Sequence, residues 1–154
     1  MIYTNEEYKL SIDVNEDYKM VPKKNYDTLG FDEKTKFQTL FVFIKDNDDG
    51  EPDTFNITRD AIYESDEEAM SKGIGFNKEN LEKQGVIIAS EQELTLANGN
   101  PAVKIIATFG EVNVNLCFFS IGGMLMCLGY INPEEDLQKE IMMENILSTV
   151  KKID

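Results

Sequence analysis

The sequence has no histidine and no tryptophan among its 154 residues. Without histidine it can form no Ser-His-Asp triad, no imidazole metal site and no histidine acid–base pair. Many carboxylates are present, but the aromatic groove that supports carboxylate catalysis in glycosidases has no tryptophan to build it. We therefore predict no catalytic residue, no metal site and no cofactor, and we expect a protein that is not an enzyme.

Cysteine is also scarce, and Cys117 and Cys127 both lie within apolar segments. A cysteine nucleophile here would lack its usual histidine base, and two thiols make a poor zinc site. Buried, reduced thiols are the ordinary finding in apolar strands. We predict no intramolecular disulfide.

Long apolar runs are missing, since none approaches the roughly 18 residues that suggest a membrane span. The first ten residues, MIYTNEEYKL, have no basic segment followed by an apolar core, which a signal peptide would need. We expect a soluble, cytoplasmic protein. A signal segment removed upstream of Met1 would make it an exported one, so export stays open as an alternative.

Acidic residues dominate what is present, with 29 Asp and Glu against 15 Lys and Arg and a net charge of −14. Nucleic acid and anionic membranes would repel such a chain, so neither is expected as a partner. The negative charge favours a basic protein as partner. It does not indicate the oligomeric state. The length suits one domain, and we find no linker or repeat that would divide residues 1–154.

Hydrophobic alternation predicts strands in the first half of the chain. Residues 8–14 have one apolar and one polar side, which is typical of a strand near an edge. Residues 39–44, TLFVFI, are apolar on both sides and predict a central strand, followed by an acidic turn and a second strand at residues 54–58. Segment 22–37 predicts a long connection that is either functional or held down by Tyr26, Leu29 and Phe31.

The second half predicts four antiparallel strands in series from Val86 to Ile131, with tight turns at Asn98-Gly99 and Gly122-Gly123. Ahead of them, Ser65 and Glu68 form a capping-box pattern that begins a helix ending at Gly85.

Two glycines weaken the middle of that helix and favour a break near Gly75, with Asn77 capping the second half. The last helix is predicted to begin at Pro133 with Asn132 as N-cap and Glu135 completing a capping box, and its apolar side extends to Val150 and Ile153. The predicted core includes Ile105, Leu116, Phe118, Leu128 and Ile146.

This order of elements, with the segments NGNPAVKI, IGGMLMCLGY and ENILSTVKKI, resembles the PsbP-like superfamily. That superfamily includes the extrinsic photosystem II protein, the Ran-binding nuclear import factor family and small bacterial proteins. The resemblance implies an α+β fold in which an antiparallel β-sheet is flanked by helices, an αβα sandwich. It also implies a binding or accessory role, by analogy of fold alone.

The candidate partner-binding residues are the acids of the turn after TLFVFI, which are Asp46, Asp48, Asp49, Glu51 and Asp53. Aligned with a calcium loop, the turn lacks the required first Asp and last Glu, so it predicts a solvated turn. A second acidic segment at 64–68 is a further contact candidate. We expect a non-enzymatic protein-binding domain. The alternatives are an immunity-type inhibitor of a basic toxin and a carboxylate-dependent hydrolase.

Overall fold

The computed structural model describes all 154 residues, which form two antiparallel β-sheets and a set of short helices. The strands are β1 (Ile2–Asn5), β2 (Leu10–Asp13), β3 (Lys19–Met20), β4 (Thr39–Lys45), β5 (Asp53–Ile62), β6 (Ile87–Thr95), β7 (Pro101–Phe109), β8 (Val112–Ile121), β9 (Met124–Ile131) and β10 (Lys151–Lys152). The helices are a 3-10 helix (Lys23–Leu29), α1 (Glu33–Gln38), α2 (Asp66–Glu68), a π-helix (Ala69–Gly73), α3 (Ile74–Lys83) and α4 (Leu137–Leu147).

The larger sheet has seven strands in the order β3-β4-β5-β9-β8-β7-β6, and the smaller has the order β1-β2-β10. The four strands β6 to β9 are consecutive neighbours, as predicted. Gly122 and Gly123 form the turn between β8 and β9 with φ angles of 59° and 81°, which non-glycine residues rarely adopt. Local turn chemistry therefore determines this half of the sheet.

The two faces of the large sheet carry different residues because side chains alternate along each strand. We call one the α4 face, which carries Leu128 of β9 and Cys117 of β8, paired directly in the register. It packs against α4 and the small sheet in a cluster of 21 buried residues. We call the other the α3 face; it carries Phe118 and Leu125 and packs against the helices α2 to α3 in a cluster of 7. Helices thus flank the sheet on both faces, which confirms the predicted α+β sandwich.

The first helical region is continuous, so the predicted break near Gly75 and the cap by Asn77 are wrong. The chain passes from α2 through the π-helix into α3. The Asn77 side-chain Nδ2 donates to the Gly73 carbonyl and to the Asp60 carboxylate instead of capping a new helix. Gly73 is buried, and a Cβ there would lie 2.6 Å from Leu125 Cδ2. This glycine allows the helix to approach β9 closely. The predicted cap is correct, because Ser65 Oγ accepts from the Glu68 amide at 3.1 Å.

The N-terminal strand differs from its prediction in position and environment. Strand β2 lies in the centre of the small sheet, between β1 and β10, and Ser11 on its supposedly polar side is buried with Leu10 and Ile12. The strand is central because β10, which is 138 residues further along the chain, pairs with its second edge. Sequence alternation contains no information on such a distant partner.

The predicted long connection at residues 22–37 is mostly helical, since it contains the 3-10 helix and most of α1. Of the three residues considered for holding it down, Tyr26 is buried, Phe31 is half-buried and Leu29 is exposed. Strand β4 follows and is buried on both sides as predicted. It is not central, however, because only the two-residue β3 lies beyond it.

The final helix begins at Leu137, four residues after the predicted start at Pro133. Asp136 is its N-cap and accepts from the Gln138 and Lys139 amides, while Glu135 adopts a positive φ of 52°. Asn132 instead accepts from the Asp136 amide at 3.0 Å and closes a separate turn. The helix ends at Leu147, so Val150 and Ile153 lie outside it.

Of the five predicted core residues, Ile105, Phe118, Leu128 and Ile146 are buried, and Leu116 is only half-buried. The two cysteines are free thiols. Because Cys117 pairs with Leu128 and Cys127 pairs with Phe118, their side chains point to opposite faces of the sheet. That geometry is incompatible with a disulfide between them.

Candidate functional site

One end of the large sheet collects several acidic turns, and we call it the acidic end. The register places the turn 46–52 beyond the last β4–β5 pair, Lys45 and Asp53. The turn 132–136 follows β9 and is attached to β8, since the Asn132 amide donates to the Asn113 carbonyl at 3.1 Å. Residues 15–17 precede β3, which pairs with the end of β4. The fold therefore gathers acids that are about 30 to 120 residues apart in sequence.

Four of the five predicted contact residues, Asp46, Asp48, Asp49 and Glu51, lie together on the turn and are exposed. The ion pairs at this end use Asp17 with Lys45 and Asp53 with Lys139, so these four carboxylates have no paired amine. The Asn47 side chain donates to the Glu51 carbonyl at 3.0 Å and closes the turn. Their full charge therefore faces solvent.

The fifth predicted residue, Asp53, has a different environment because it is the first residue of β5. One of its carboxylate oxygens accepts from Lys139 Nζ at 2.6 Å, and the other accepts from the Tyr18 hydroxyl at 2.8 Å. Burial, and then the hydrogen bond to Asp53, raise the pKa of Tyr18 well above its usual range. Asp53 thus links the hairpin to α4 and to the segment before β3, and it is not a free contact residue.

The second acidic segment, 64–68, lies at the opposite end of the sheet beside the Gly122-Gly123 turn. Asp66 accepts from Ser120 Oγ at 2.6 Å and from the Gly123 amide at 2.7 Å. Glu68 accepts from the Glu64 amide and pairs with Lys72. These acids fix the start of the helix against the β8–β9 turn, so this segment offers fewer free carboxylates than the 46–52 turn.

An apolar cleft opens on the α3 face next to the acidic end. The helices α2 to α3 pack over β7, β8 and β9 and reach only the far half of β5, at Asp60. They leave β4 and the first residues of β5 uncovered, and the 22–38 segment borders this region. The cleft has a volume of about 400 Å³. It is lined by Leu29, Phe31, Val42, Thr54, Phe55, Asn56, Val114, Leu116, Gly129, Tyr130 and Ile131.

Gly129 lies in the cleft between neighbouring strands and explains part of its shape. A Cβ at this position would lie 3.3 Å from both Asn56 Oδ1 and Leu116 Cδ2. Sequence reasoning missed the cleft, although an isolated glycine inside a strand is a recognised signal for a close approach. The other lining residues are ordinary strand and loop residues in the sequence, and nothing there indicates that they meet.

The cleft contains no carboxylate, amine or thiol among its lining residues. The most buried ion pair, Lys104 with Glu140 at 2.9 Å, lies on the α4 face beneath the last helix. Burial would lower the pKa of Lys104, but the hydrogen bond from its amine to Glu140 and the charge on Glu144 outweigh this and raise it. Burial raises the pKa of the Cys117 thiol to about 12, which leaves it protonated and unreactive at neutral pH. The cleft lining is apolar apart from neutral polar residues such as Asn56 and Tyr130, and this composition suits binding.

The chain has no group of three or more Cys, Asp or Glu side chains arranged to hold a metal ion. No helix has the length and apolar character needed to traverse a lipid bilayer.

Comparison with known proteins gives similarity in structure only. No family model matches the chain, and no curated protein sequence matches it. The solution structure of cyanobacterial PsbP (CyanoP) from Synechocystis sp. PCC 6803 is similar over 99% of this chain and 92% of its own, with a TM-score of 0.62 and 10% identity. A crystal structure from Bacteroides thetaiotaomicron VPI-5482 is similar over 99% of this chain and 48% of its own, with a TM-score of 0.51 and 12% identity. The chain therefore has the PsbP-like fold, which confirms that prediction. At these identities the likeness is one of fold.

Proposed function

We propose that residues 1–154 form one non-enzymatic, protein-binding domain that binds a basic partner through the acidic end. The observation that carries this proposal is the cluster of four exposed, unpaired carboxylates on the 46–52 turn. The net charge of −14 gives the same preference over a longer range. A field of this sign increases the rate of encounter with a basic protein.

The single-domain part of the proposal is supported by the shared core. The 21-residue cluster combines residues of the small sheet, the large sheet and α4, so the two sheets share this core. The non-enzymatic part is supported by the cleft, whose lining has no acid, amine or thiol. A carboxylate-dependent hydrolase would need its carboxylates at the cavity that holds the substrate.

The test compares two triple variants that change the net charge equally. Asp48→Asn, Asp49→Asn and Glu51→Gln neutralise the turn, whereas the matched control Glu79→Gln, Glu82→Gln and Glu93→Gln neutralises exposed acids on α3 and β6. Partners are captured with the wild-type protein, and association rates are then measured by surface plasmon resonance at low and high ionic strength.

We expect the turn variant to associate severalfold more slowly than the control variant at low salt, because it loses the local field. The difference should shrink at higher salt, where the Debye length falls to about 8 Å or less. Both variants should keep the melting temperature within about a degree or two, because exposed charges contribute little to stability. Equal association rates for the two variants would remove the turn from the binding site.

A further inference from the structure

The apolar cleft and the acidic turn are adjacent parts of one surface. Strands β4 and β5 carry Val42, Thr54 and Asn56 in the cleft, and the same two strands lead into the 46–52 turn. The last register pair includes Asp53, which is one residue, about 3.3 Å, beyond Thr54. The acidic turn therefore lies directly beyond the cleft along these two strands.

The cleft is apolar and only partly covered. Leu29 at its border is 38% exposed and Ile131 is 51% exposed, while Val114 and Leu116 are half-buried. By contrast, Leu125 and Leu128 of the same sheet are fully buried. An uncovered apolar region of this kind is typical of a site that another molecule covers.

We infer that the cleft holds a large apolar side chain, such as Phe or Leu, of a basic peptide segment whose Lys or Arg residues contact Asp46, Asp48, Asp49 and Glu51. This inference rests on the proposed function and names the partner's chemistry. Charge complementarity selects the occupant, because the free carboxylates beside the cleft repel an acidic segment and attract a basic one. The volume of about 400 Å³ is at the low end of ligand pockets, which run from roughly 300 to 1,000 Å³, and suits an anchor side chain.

A set of matched synthetic peptides tests the inference directly. Four peptides of one length combine a Lys-Gly or a Glu-Gly repeat with a central Phe or a central Ala. Each is titrated into protein with ¹³C-labelled methyl groups, and the shifts of Leu29, Val42, Val114, Leu116 and Ile131 are followed by NMR. Indole is titrated as an uncharged aromatic probe.

We expect the Lys-Phe peptide to bind about ten- to a hundredfold more tightly than the Lys-Ala peptide, which corresponds to burial of one large apolar side chain. Its methyl shifts should lie in the cleft. The Glu-Phe peptide should bind more weakly than the Lys-Phe peptide at low salt. Equal affinity for the two Lys peptides, shifts away from the cleft, or no binding by any peptide would overturn the inference. Tighter binding of indole than of the Lys-Phe peptide would also overturn it, because the cleft would then be a small-molecule site.

Two variants separate this inference from the proposed function. Ile131→Ser makes the cleft border polar, and Ile62→Ser is its matched control, since Ile62 is also exposed (67%) but lies at the other end of β5. We expect Ile131→Ser to weaken binding of the Lys-Phe peptide and to leave binding of the Lys-Ala peptide unchanged. Ile62→Ser should change the affinity for neither peptide.

The turn variant Asp48→Asn, Asp49→Asn, Glu51→Gln should bind both Lys peptides more weakly than the wild-type protein does. If it does so and Ile131→Ser has no effect, the cleft inference fails and the acidic contact stands. If Ile131→Ser weakens binding and the turn variant does not, the proposed acidic contact fails, and with it the basic character of the occupant.

Discussion

The two faces of the seven-stranded sheet are covered to different extents, and the difference separates stability from binding. On the α4 face, one helix and a second sheet complete a cluster of 21 buried residues. On the α3 face, the helical cover contributes to a cluster of only 7 and does not extend over β4 or the first residues of β5. The well-covered face contains the buried ion pair Lys104–Glu140, whereas the partly covered face has the apolar cleft beside the acidic turn.

This comparison indicates where substitutions should affect folding and where they should affect recognition. Residues that pack between a sheet and a full layer lose all contact with water, so their truncation leaves a cavity. Residues at the cleft are already partly hydrated, so the same truncation has a smaller cost. Three experiments use this contrast, beginning with the largest expected effect.

The first compares the same substitution on the two faces. Leu128→Ala on the α4 face removes a fully buried side chain and should lower the free energy of unfolding by about 2 to 5 kcal/mol. Leu116→Ala, on the adjacent strand β8 but facing the cleft, should lower it by roughly 1 kcal/mol. Urea titration measures both. Equal losses would mean that the cleft is filled by the protein itself in solution.

The second tests the covered part of the α3 face with two helix glycines. A Cβ at Gly73 would lie 2.6 Å from Leu125 Cδ2, so Gly73→Ala should destabilise by about 1 to 3 kcal/mol through overpacking. Gly75→Ala meets no atom within 4 Å and should stabilise by about 0.5 to 1 kcal/mol through helix propensity. Thermal unfolding of the two variants shows whether each substitution raises or lowers the stability. A Gly73→Ala protein as stable as the wild-type protein would show that this helix does not approach the sheet so closely.

The third experiment uses pH to compare the pKa of the buried Cys117 thiol in the folded chain with its pKa in the unfolded chain. Cys117 ionises near 9.0 when exposed, whereas burial, and then the charge on Glu144, raise its pKa in the fold to about 12. Between these values the unfolded chain binds fewer protons than the folded chain, so stability falls as pH rises.

By pH 10 this loss should be on the order of 1 kcal/mol. Cys117→Ala should therefore show a shallower decrease in unfolding free energy from pH 8 to 10 than the wild-type protein. An unchanged slope would place that thiol in contact with water.

Local sequence signals predicted the half of the large sheet formed by β6 to β9 correctly, because turn chemistry and alternation act over a few residues. Strands β6 to β9, the glycine turn at Gly122-Gly123 and the Ser65 cap all follow from neighbouring residues. The last helix shows the limit of such signals. Asn132 and Asp136 are both good N-caps in the sequence, but in the fold Asn132 is attached to Asn113 of β8 and Asp136 is the N-cap.

The composition of the 46–53 segment predicted the acidic turn, but which of its acids are free depends on tertiary contacts. Asp53 reads as one more free acid in the sequence, yet Lys139, 86 residues away, pairs with it. The cleft was not predicted at all, because it exists where the cover from α2 to α3 stops short of β4 and the first residues of β5. How far a packed helix extends across a sheet cannot be predicted from the identity of single residues.

The sequence by itself thus determined the α+β composition, the strand order of the second half and the charge that favours a basic partner. These properties depend on short-range sterics, on alternation and on a sum of charges. The tertiary structure decided that Ser11 is buried, that four of the five turn acids are free, and that an apolar cleft lies beside them. Those outcomes depend on contacts between segments far apart in the chain, whose geometry is fixed only when the layers pack.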